Sequence, residues 1–190
     1  MKQSSFDSPI PPIRVGHGYD LHRLDARAPH GSGRRLVLGG VYLEHTHGPV
    51  SHSDGDALYH AVTDALLGAL GLPDIGQLFP DNDPANESRD SADFLSAAAT
   101  RLRELGWSVT NLDATVILER PKLSPHKEAM RRNLARILGV VPEVVNIKGK
   151  THERVDAVGE GRAVEVHAVV LLHRLSDGRA PAITPSIGRR

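Results

Sequence analysis

The sequence predicts a single-domain sandwich of one sheet with about three helices, either α+β or α/β; we adopt the α+β class with a mixed sheet. The chain has 190 residues, the usual length of one domain, and 39% of them are hydrophobic, which is enough for a core. Segments typical of strands alternate with segments of helical spacing, and the sequence contains no repeat. We expect the domain to span 13–175, between a flexible leader (1–12) and a flexible tail (176–190) that are rich in turn-forming residues.

The first half of the chain predicts strands followed by a helix. Paired glycines between two apolar runs are typical of a hairpin or a bulge, and apolar residues spaced by three and four are typical of a helix face. Ser and Asp favour the start of a helix and Gly favours its end. The predicted elements are a short strand beginning at 13–15, runs 35–38 and 41–43 around Gly39-Gly40, and a helix at 56–70 with Ser53 or Asp54 as its N-cap and Gly71 after its end.

The second half predicts two further helices and three strands. Proline is favoured in the first turn of a helix, and alternating β-branched residues favour a strand. The predicted elements are a helix at 91–105 with Ser91 as its N-cap, a strand at 109–118, a helix that begins at Ser124-Pro125 and ends at Gly139, and strands at 144–148 and 163–172.

Composition excludes several classes of protein. Lys plus Arg and Asp plus Glu number 23 each, so the basic excess of a dedicated nucleic-acid binder is missing. Cysteine is absent, which excludes disulfide scaffolds and cysteine-ligated metal sites. No apolar run approaches the ~18 residues of a membrane span, and the N-terminus lacks the apolar segment of a secretory signal, so we expect a cytoplasmic protein without a membrane partner. The eleven histidines point to metal or proton chemistry.

The motif GHGYDLH (16–22) carries the first candidate metal ligands. Asp20 and His22 are two residues apart, so they project to the same face if the segment is extended. A carboxylate beside an imidazole suits Zn²⁺, which takes nitrogen and oxygen ligands. The alternative is a polar loop near the end of a strand.

The motif SHSDGDALYH (51–60) opens the first predicted helix. Asp56, His60 and Asp64 are spaced by four residues and form a stripe along one helix face, so His60 could supply a third metal ligand. The alternative is a capped helix with a solvated acidic face, which we favour for Asp64 alone. Free backbone N–H groups just before the helix favour anions, and the residues at that position are His52 and Ser53.

Two further regions carry groups that suit a sugar phosphate. The loop 72–84 contains three aspartates and could accept hydroxyl hydrogen bonds from a polyol or hold a hard cation, although ordinary turn chemistry also explains it. Lys122, just before a predicted helix, is placed for a phosphate. Thr151 and Glu153 offer a hydroxyl and a carboxylate to a second, magnesium-like ion.

The sequence resembles the 2-C-methyl-D-erythritol 2,4-cyclodiphosphate synthase family over 13–175, most specifically in GHGYDLH, SHSDGDALYHAVTDALLGALGLPDIGQLFPDNDP and PKLSPH. The resemblance implies a lyase of the non-mevalonate isoprenoid and terpenoid pathway that forms the cyclic diphosphate and releases CMP from a cytidine diphosphate substrate. It also implies a homotrimer with active sites between subunits, one Zn²⁺ per chain, and a second divalent ion, Mg²⁺ or Mn²⁺.

The resemblance assigns roles to individual residues of this chain. The implied zinc ligands are Asp20, His22 and His60, and the implied ligand of the second ion is Glu153. His52 and Thr151 match residues that stabilise the transition state. The implied substrate-binding residues are Asp20, Leu21, His22, His52, Ser53, Asp74, Ile75, Gly76, Phe79, Pro80, Asp81, Asn82, Asp83, Leu118, Pro121, Lys122, Lys150, Thr151, His152 and Glu153.

One region departs from the family. An aromatic residue and an arginine that lie by the central cavity of the family's trimer are replaced here by Ala157 and Glu160, with Arg162 two residues further on. We expect three Glu160 carboxylates near a threefold axis to disfavour the binding of isoprenoid diphosphates there.

Two other functions share these motifs. A metal-dependent phosphoester hydrolase would use the same Asp/His cluster with water as the nucleophile. A non-catalytic zinc-containing trimer could bind a nucleotide or an isoprenoid diphosphate, but it would need a closed site of four ligands, and only three are evident. The three-ligand set therefore favours the enzyme.

Overall fold

The computed structural model describes residues 12–80 and 82–175, so the expected leader and tail fall outside it except for Pro12. Three long helices are present, as expected, together with two of four residues each. The elements in chain order are β1 Ile13–Ala26, β2 Val37–Leu38, β3 Val41–Tyr42, β4 His47–Pro49, α1 Ala57–Leu70, α2 Ile75–Leu78, α3 Ser91–Glu104, β5 Trp107–Ile117, α4 Lys127–Leu138, β6 Val145–Lys150, α5 Asp156–Gly159 and β7 Ala163–Arg174, with 3₁₀ turns at Pro84–Asn86 and Pro142–Val144.

A five-stranded mixed sheet in the order β4-β1-β7-β5-β6 organises the fold. Strands β5 and β6 are parallel, and the other neighbouring pairs are antiparallel. Helix α1 packs on β1 and β7, α3 on β5, and α4 on β6, so the long helices share one face of the sheet. The core lies between these two layers, which confirms the α+β class with a mixed sheet.

Strand β1 is much longer than the short strand expected at 13–15. It continues to Ala26 because β7 pairs with it from Ile13↔His173 to Arg23↔Ala163, and β4 then pairs with it from Leu24↔Pro49 to Ala26↔His47. The GHGYDLH motif is therefore extended, and Asp20 and His22 share the face that looks toward α1. The expected hairpin at Gly39-Gly40 is confirmed, although β2 and β3 pair only two residues each.

The expected N-caps were wrong for all three long helices. Asp56 caps α1, because its carboxylate accepts the N–H groups of Leu58 and Tyr59 and also those of Gly39 and Gly40 from the hairpin. Asp90 caps α3 in place of Ser91. Helix α4 begins at Lys127, because 124–126 form a turn that closes on the carbonyl oxygen of Leu123. The ends at Gly71 and Gly139 were correct, and both glycines adopt the left-handed conformation.

Two glycines of β1 allow α1 to lie directly on the strand. A Cβ built at Gly18 would stand 1.8 Å from the carbonyl oxygen of Ala61, and one at Gly16 would stand 1.9 Å from that of Ala65. Both contacts involve helix backbone, which cannot yield without moving the helix. The distance between β1 and α1 is thus set by glycine.

We expect Gly18→Ala to reduce the free energy of unfolding by roughly 3 kcal/mol or more, because α1 must move away from β1. The matched control is Gly68→Ala on the facing helix, where the nearest atom to a new Cβ is 3.8 Å away. That change should stabilise the protein by up to about 1 kcal/mol through helix propensity. Denaturant unfolding of both variants tests this; a Gly18→Ala variant as stable as Gly68→Ala would contradict the close packing.

The face of the sheet opposite the helices is uncovered and carries several exposed apolar side chains. Its exposed side chains include Val15 at 66%, Ile13 at 57%, and Tyr19, Leu21 and Val169 at 43–47%. Five neighbouring apolar side chains on one surface are unusual for a domain that acts alone. Among the described helices, none is long and apolar enough to cross a membrane.

Candidate active site

Three side chains converge above β1 and form what we call the ligand trio: Asp20, His22 and His60. The Asp20 Oδ2 atom lies 2.8 Å from His22 Nδ1 and 3.2 Å from His60 Nδ1. One potential ligand atom from each residue lies within 4.8 Å of the others, and no other group of this kind occurs in the described ranges. The trio matches the spacing expected from an extended strand and a helix that faces it.

The donor atoms of the trio lack other partners. Within the described chain, Asp20 Oδ2 and His22 Nδ1 are buried and have no partner outside the trio. Burial raises the pKa of Asp20, but the two imidazoles outweigh it and lower that pKa to about 2. Asp20 is therefore an ionised carboxylate at neutral pH, with two imidazole nitrogens beside it. This donor set fits a zinc ion with one open position.

Serine hydroxyls contact the Nε2 atom of each imidazole, on the side of the ring away from Asp20. The Nε2 atom of His22 lies 3.3 Å from Ser51 Oγ, and the Nε2 atom of His60 lies 2.8 Å from Ser91 Oγ. Partners of this kind fix the tautomer of a metal-binding histidine and leave Nδ1 free for the metal. Neither serine was expected at the site. Ser91 gave no signal beyond that of a helix cap, because it lies 31 residues from His60 along the chain.

A cavity of about 320 Å³, which we call the metal cavity, opens above the trio. Its wall includes a pair of aromatic rings, Phe79 and Phe94, with centroids 4.7 Å apart. Neither Phe94 nor Arg23 was expected at the site. The expected residues that line the cavity are Asp20, Leu21, His22, His52, Ser53, His60, Ile75, Gly76 and Phe79.

The loop 72–84, with its three aspartates, contributes less to the metal cavity than expected. Asp74 lies outside it, because its carboxylate accepts the N–H of Gln77 and caps α2. Asp64 is half-buried rather than solvated, and it accepts the N–H of Ile75, the first residue of α2. Both carboxylates therefore position the cavity wall. Three further expected residues do not line the metal cavity or the second cavity described below: Pro80, Asn82 and Asp83. Asp81 lies outside the described residues.

A second cavity of about 300 Å³ lies where β5, β6 and α4 meet, and we call it the lysine cavity. It brings together the segments 118–127 and 149–153, which are distant in sequence. Of the expected residues, it contains Leu118, Pro121, Lys122, Lys150, Thr151 and Glu153, and it also contains Lys127, which was not expected. Thr151 Oγ1 donates to Glu153 Oε1 at 2.7 Å.

His152 was expected to contact substrate but does not line the lysine cavity. Its Nδ1 atom lies 2.8 Å from Asp156 Oδ2, which draws the ring toward α5. Glu153, Arg154 and Asp156 all have φ between 51° and 65°, a conformation that non-glycine residues rarely adopt. Strain of this kind is typical of functional loops.

The model of the YgbB family matches residues 13–173. The chain belongs to the YgbB family. A chloroplastic 2-C-methyl-D-erythritol 2,4-cyclodiphosphate synthase of Arabidopsis thaliana is 53% identical over 161 residues, 85% of this chain and 67% of that protein. The synthase of the same name from Dechloromonas aromatica is 51% identical over 163 residues, 86% of this chain and 98% of that protein.

A solved structure of a YgbB-family relative shows the same fold. The Plasmodium falciparum IspF complex with CDP has a TM-score of 0.76 and 36% identity, and the match covers 88% of this chain and 99% of that one. The resemblance seen in the sequence is confirmed, and with it the assignment to a cyclodiphosphate synthase of the non-mevalonate pathway. The cytoplasmic location stays a prediction, since the Arabidopsis relative is named chloroplastic.

The departure from the YgbB family near the C-terminus has a local compensation. Arg162 Nη2 lies 2.5 Å from Glu160 Oε2, so the two charges offset each other. The repulsion expected from Glu160 is therefore smaller than its charge alone indicates. Ala157 packs beside a small cluster of Ile117, Val158 and Ala163. Weak binding of isoprenoid diphosphates stays a prediction.

Proposed function

We propose that this member of the YgbB family converts 4-diphosphocytidyl-2-C-methyl-D-erythritol 2-phosphate into 2-C-methyl-D-erythritol 2,4-cyclodiphosphate and CMP. The 2-phosphate oxygen attacks the β-phosphorus, a new P–O–P bond closes the ring, and the bond from the β-phosphorus to the CMP oxygen breaks. The observation that carries this proposal is the ligand trio at the metal cavity, together with a cationic second cavity. The reaction needs two anions to be brought together in line.

The trio is suited to hold the Zn²⁺ that the resemblance implies. Its support is chemical: one ionised carboxylate, two imidazole rings whose Nε2 atoms contact serine hydroxyls, and two buried ligand atoms with no partner outside the trio. Zinc bound there acts as a Lewis acid on a phosphate oxygen. The trio borders the metal cavity, which His52 and Ser53 also line, and these two residues are proposed to contact the phosphates.

The walls of the metal cavity are proposed to orient the methylerythritol part of the substrate. Ile75, Gly76 and Phe79 supply a largely apolar surface on one side of the cavity. Orientation of this kind contributes about 7–11 kcal/mol to the lowering of a barrier when the reacting groups are well aligned. No side-chain nucleophile is required, because the substrate carries its own.

The lysine cavity is proposed to bind the cytidine diphosphate arm. Lys122, Lys127 and Lys150 provide positive charge for phosphates. Thr151 supplies a hydroxyl for the transition state, and Glu153 offers a carboxylate to a second divalent ion, Mg²⁺ or Mn²⁺. Such ions are commonly held by one or two carboxylates and the phosphates of the substrate.

The active unit is proposed to be a homotrimer, in which the metal cavity of one chain meets the lysine cavity of its neighbour. Its support is the uncovered sheet face, whose exposed apolar side chains offer a surface for another copy. A symmetric head-to-tail arrangement would repeat the same shared site at every interface.

Product analysis tests the reaction. Zinc-loaded protein supplied with Mg²⁺ and the cytidine substrate should release CMP and the cyclic diphosphate in equal amounts, which phosphorus NMR can distinguish from linear products. A linear phosphate as the main product would show that water is the nucleophile and would instead identify a metal-dependent phosphoester hydrolase.

A further inference from the structure

The segment 50–55, which brings His52 and Ser53 to the metal cavity, belongs to no helix or strand. Its position therefore depends on individual hydrogen bonds and not on the regular bonding of a helix or a sheet. A second segment without regular structure, 87–90, lies beside it, because the N–H of Ser88 donates to the carbonyl oxygen of His52 at 2.6 Å.

Arg34 joins these two segments through all three nitrogens of its guanidinium group. Nε donates to the carbonyl oxygen of Ser51 at 2.8 Å, Nη2 donates to that of His52 at 3.2 Å, and Nη1 donates to Ser88 Oγ at 3.0 Å. The carbonyl oxygen of His52 thus accepts two hydrogen bonds, which uses both of its lone pairs. We call these contacts the arginine clamp.

The turn that the clamp holds has an unusual backbone. Ser88 has a φ of 58°, a conformation that residues other than glycine rarely adopt. Such a conformation persists where surrounding contacts hold it in place. Here both the N–H and the hydroxyl of Ser88 are engaged, the first by the carbonyl oxygen of His52 and the second by Arg34.

Arg34 lies behind the metal cavity and not in its wall. The residue is half-buried, and it lines neither the metal cavity nor the lysine cavity. His52, in contrast, is an exposed residue of the metal cavity. In the described part of the chain the His52 imidazole makes no hydrogen bond of its own, so the backbone that the clamp holds decides where the ring stands.

We propose that Arg34 is a positioning residue for the cyclisation, because the clamp fixes the backbone that places the His52 imidazole beside the reacting phosphates. This inference rests on the proposed function. A guanidinium is suited to the task, since its planar fork meets three acceptors at once, whereas the ammonium group of lysine is a compact charge on a flexible stem. A displacement of about 1 Å in an active site can lower a rate by about a hundredfold.

Steady-state kinetics of CMP release by zinc-loaded Arg34→Lys tests this role. Lysine keeps the positive charge and loses the fork, so kcat should fall by about tenfold or more with little change in KM. Bound zinc should stay at the wild-type level, because the ligand trio comes from β1 and α1. The control is Arg35→Lys, which should keep the wild-type kcat, since the guanidinium of Arg35 stacks over the Tyr42 ring, 4.4 Å from its centroid.

The same substitution in a His52→Ala background separates positioning from a general structural effect. If Arg34 acts through His52, adding Arg34→Lys to His52→Ala should lower kcat by less than about twofold, because the imidazole that the clamp places is already gone. Thermal unfolding verifies that each variant is folded at the assay temperature. Losses that multiply, a wild-type kcat in Arg34→Lys, or loss of zinc from it would overturn the proposal.

Hydrogen exchange without substrate distinguishes a failure of this proposal from a failure of the proposed function. In Arg34→Lys the amides of 50–55 and 87–90 should exchange faster than in the wild type, and in Arg35→Lys they should not. Unchanged exchange in Arg34→Lys would overturn the clamp whatever product the wild type makes. A linear phosphate from the wild type would refute the cyclisation, while the ratio of CMP release between Arg34→Lys and wild type would still decide whether Arg34 positions His52.

Discussion

Replacing His60 with alanine is expected to remove the bound zinc and to lower the rate of CMP release by about a thousandfold or more. The imidazole is one of three ligands, so its loss leaves Asp20 and His22, too few for a stable catalytic zinc site. Zinc contributes several kcal/mol of charge stabilisation to phosphate chemistry, and each 1.36 kcal/mol is a factor of about ten in rate. Metal analysis and a CMP-release assay measure the two effects.

The domain should remain folded in this variant. His60 sits on α1, whose apolar side chains still pack on β1 and β7, and the polar contacts that the change removes are those of the ring with Asp20, Ser91 and Ser53. His173→Ala is a matched control, since that ring lies near the end of β7 and contacts Thr110 rather than the trio. The control should keep zinc and activity. A His60→Ala protein that holds zinc tightly and turns over normally would contradict the assignment.

Mixing two inactive variants is expected to restore activity. In His60→Ala the metal cavity is damaged, and in Lys122→Ala the lysine cavity is damaged, so neither protein alone has an intact site. If each site combines the two cavities from neighbouring chains, random equal mixing makes about a quarter of the sites intact. The mixed sample should therefore recover about a quarter of the wild-type rate after subunit exchange.

A second mixture controls for non-specific recovery. His60→Ala and Asp20→Asn damage the same cavity, so their mixed assemblies contain no intact site and should stay inactive. Mass spectrometry can verify that mixed assemblies form in both samples. Verified mixed assemblies of His60→Ala and Lys122→Ala without activity would show that each site lies within one chain.

The ligand trio could be predicted from sequence because its geometry depends on two local patterns: the alternation of side chains along a strand and the spacing of apolar residues along a helix. The alternation of a strand brings Asp20 and His22 to one face, and the helix that carries His60 has strong apolar spacing. The helix starts were less predictable, because tertiary contacts decide them. The carboxylate of Asp56 accepts hydrogen bonds from the backbone N–H groups of the distant hairpin glycines, Gly39 and Gly40. The local sequence around Ser53 does not reveal these contacts.

Long-range placement explains the remaining misses. The length of β1 follows from its pairing with β7, which is about 150 residues away along the chain, as the register of His17 with Val169 illustrates. Ser91 reaches His60 only because α3 packs beside α1. At Asp74 the ordinary turn chemistry that the sequence allowed is what the structure has, because its carboxylate caps the short helix α2.

The glycines of β1 have a consequence for how the metal is acquired. Gly16 and Gly18 bring α1 so close to the strand that the backbone positions of Asp20, His22 and His60 are set by packing, before any ion arrives. The loss of conformational entropy needed to gather the three ligands is therefore incurred during folding and not during binding. Zinc uptake by this protein should accordingly be a rapid capture by a preorganised site, with little change in the backbone.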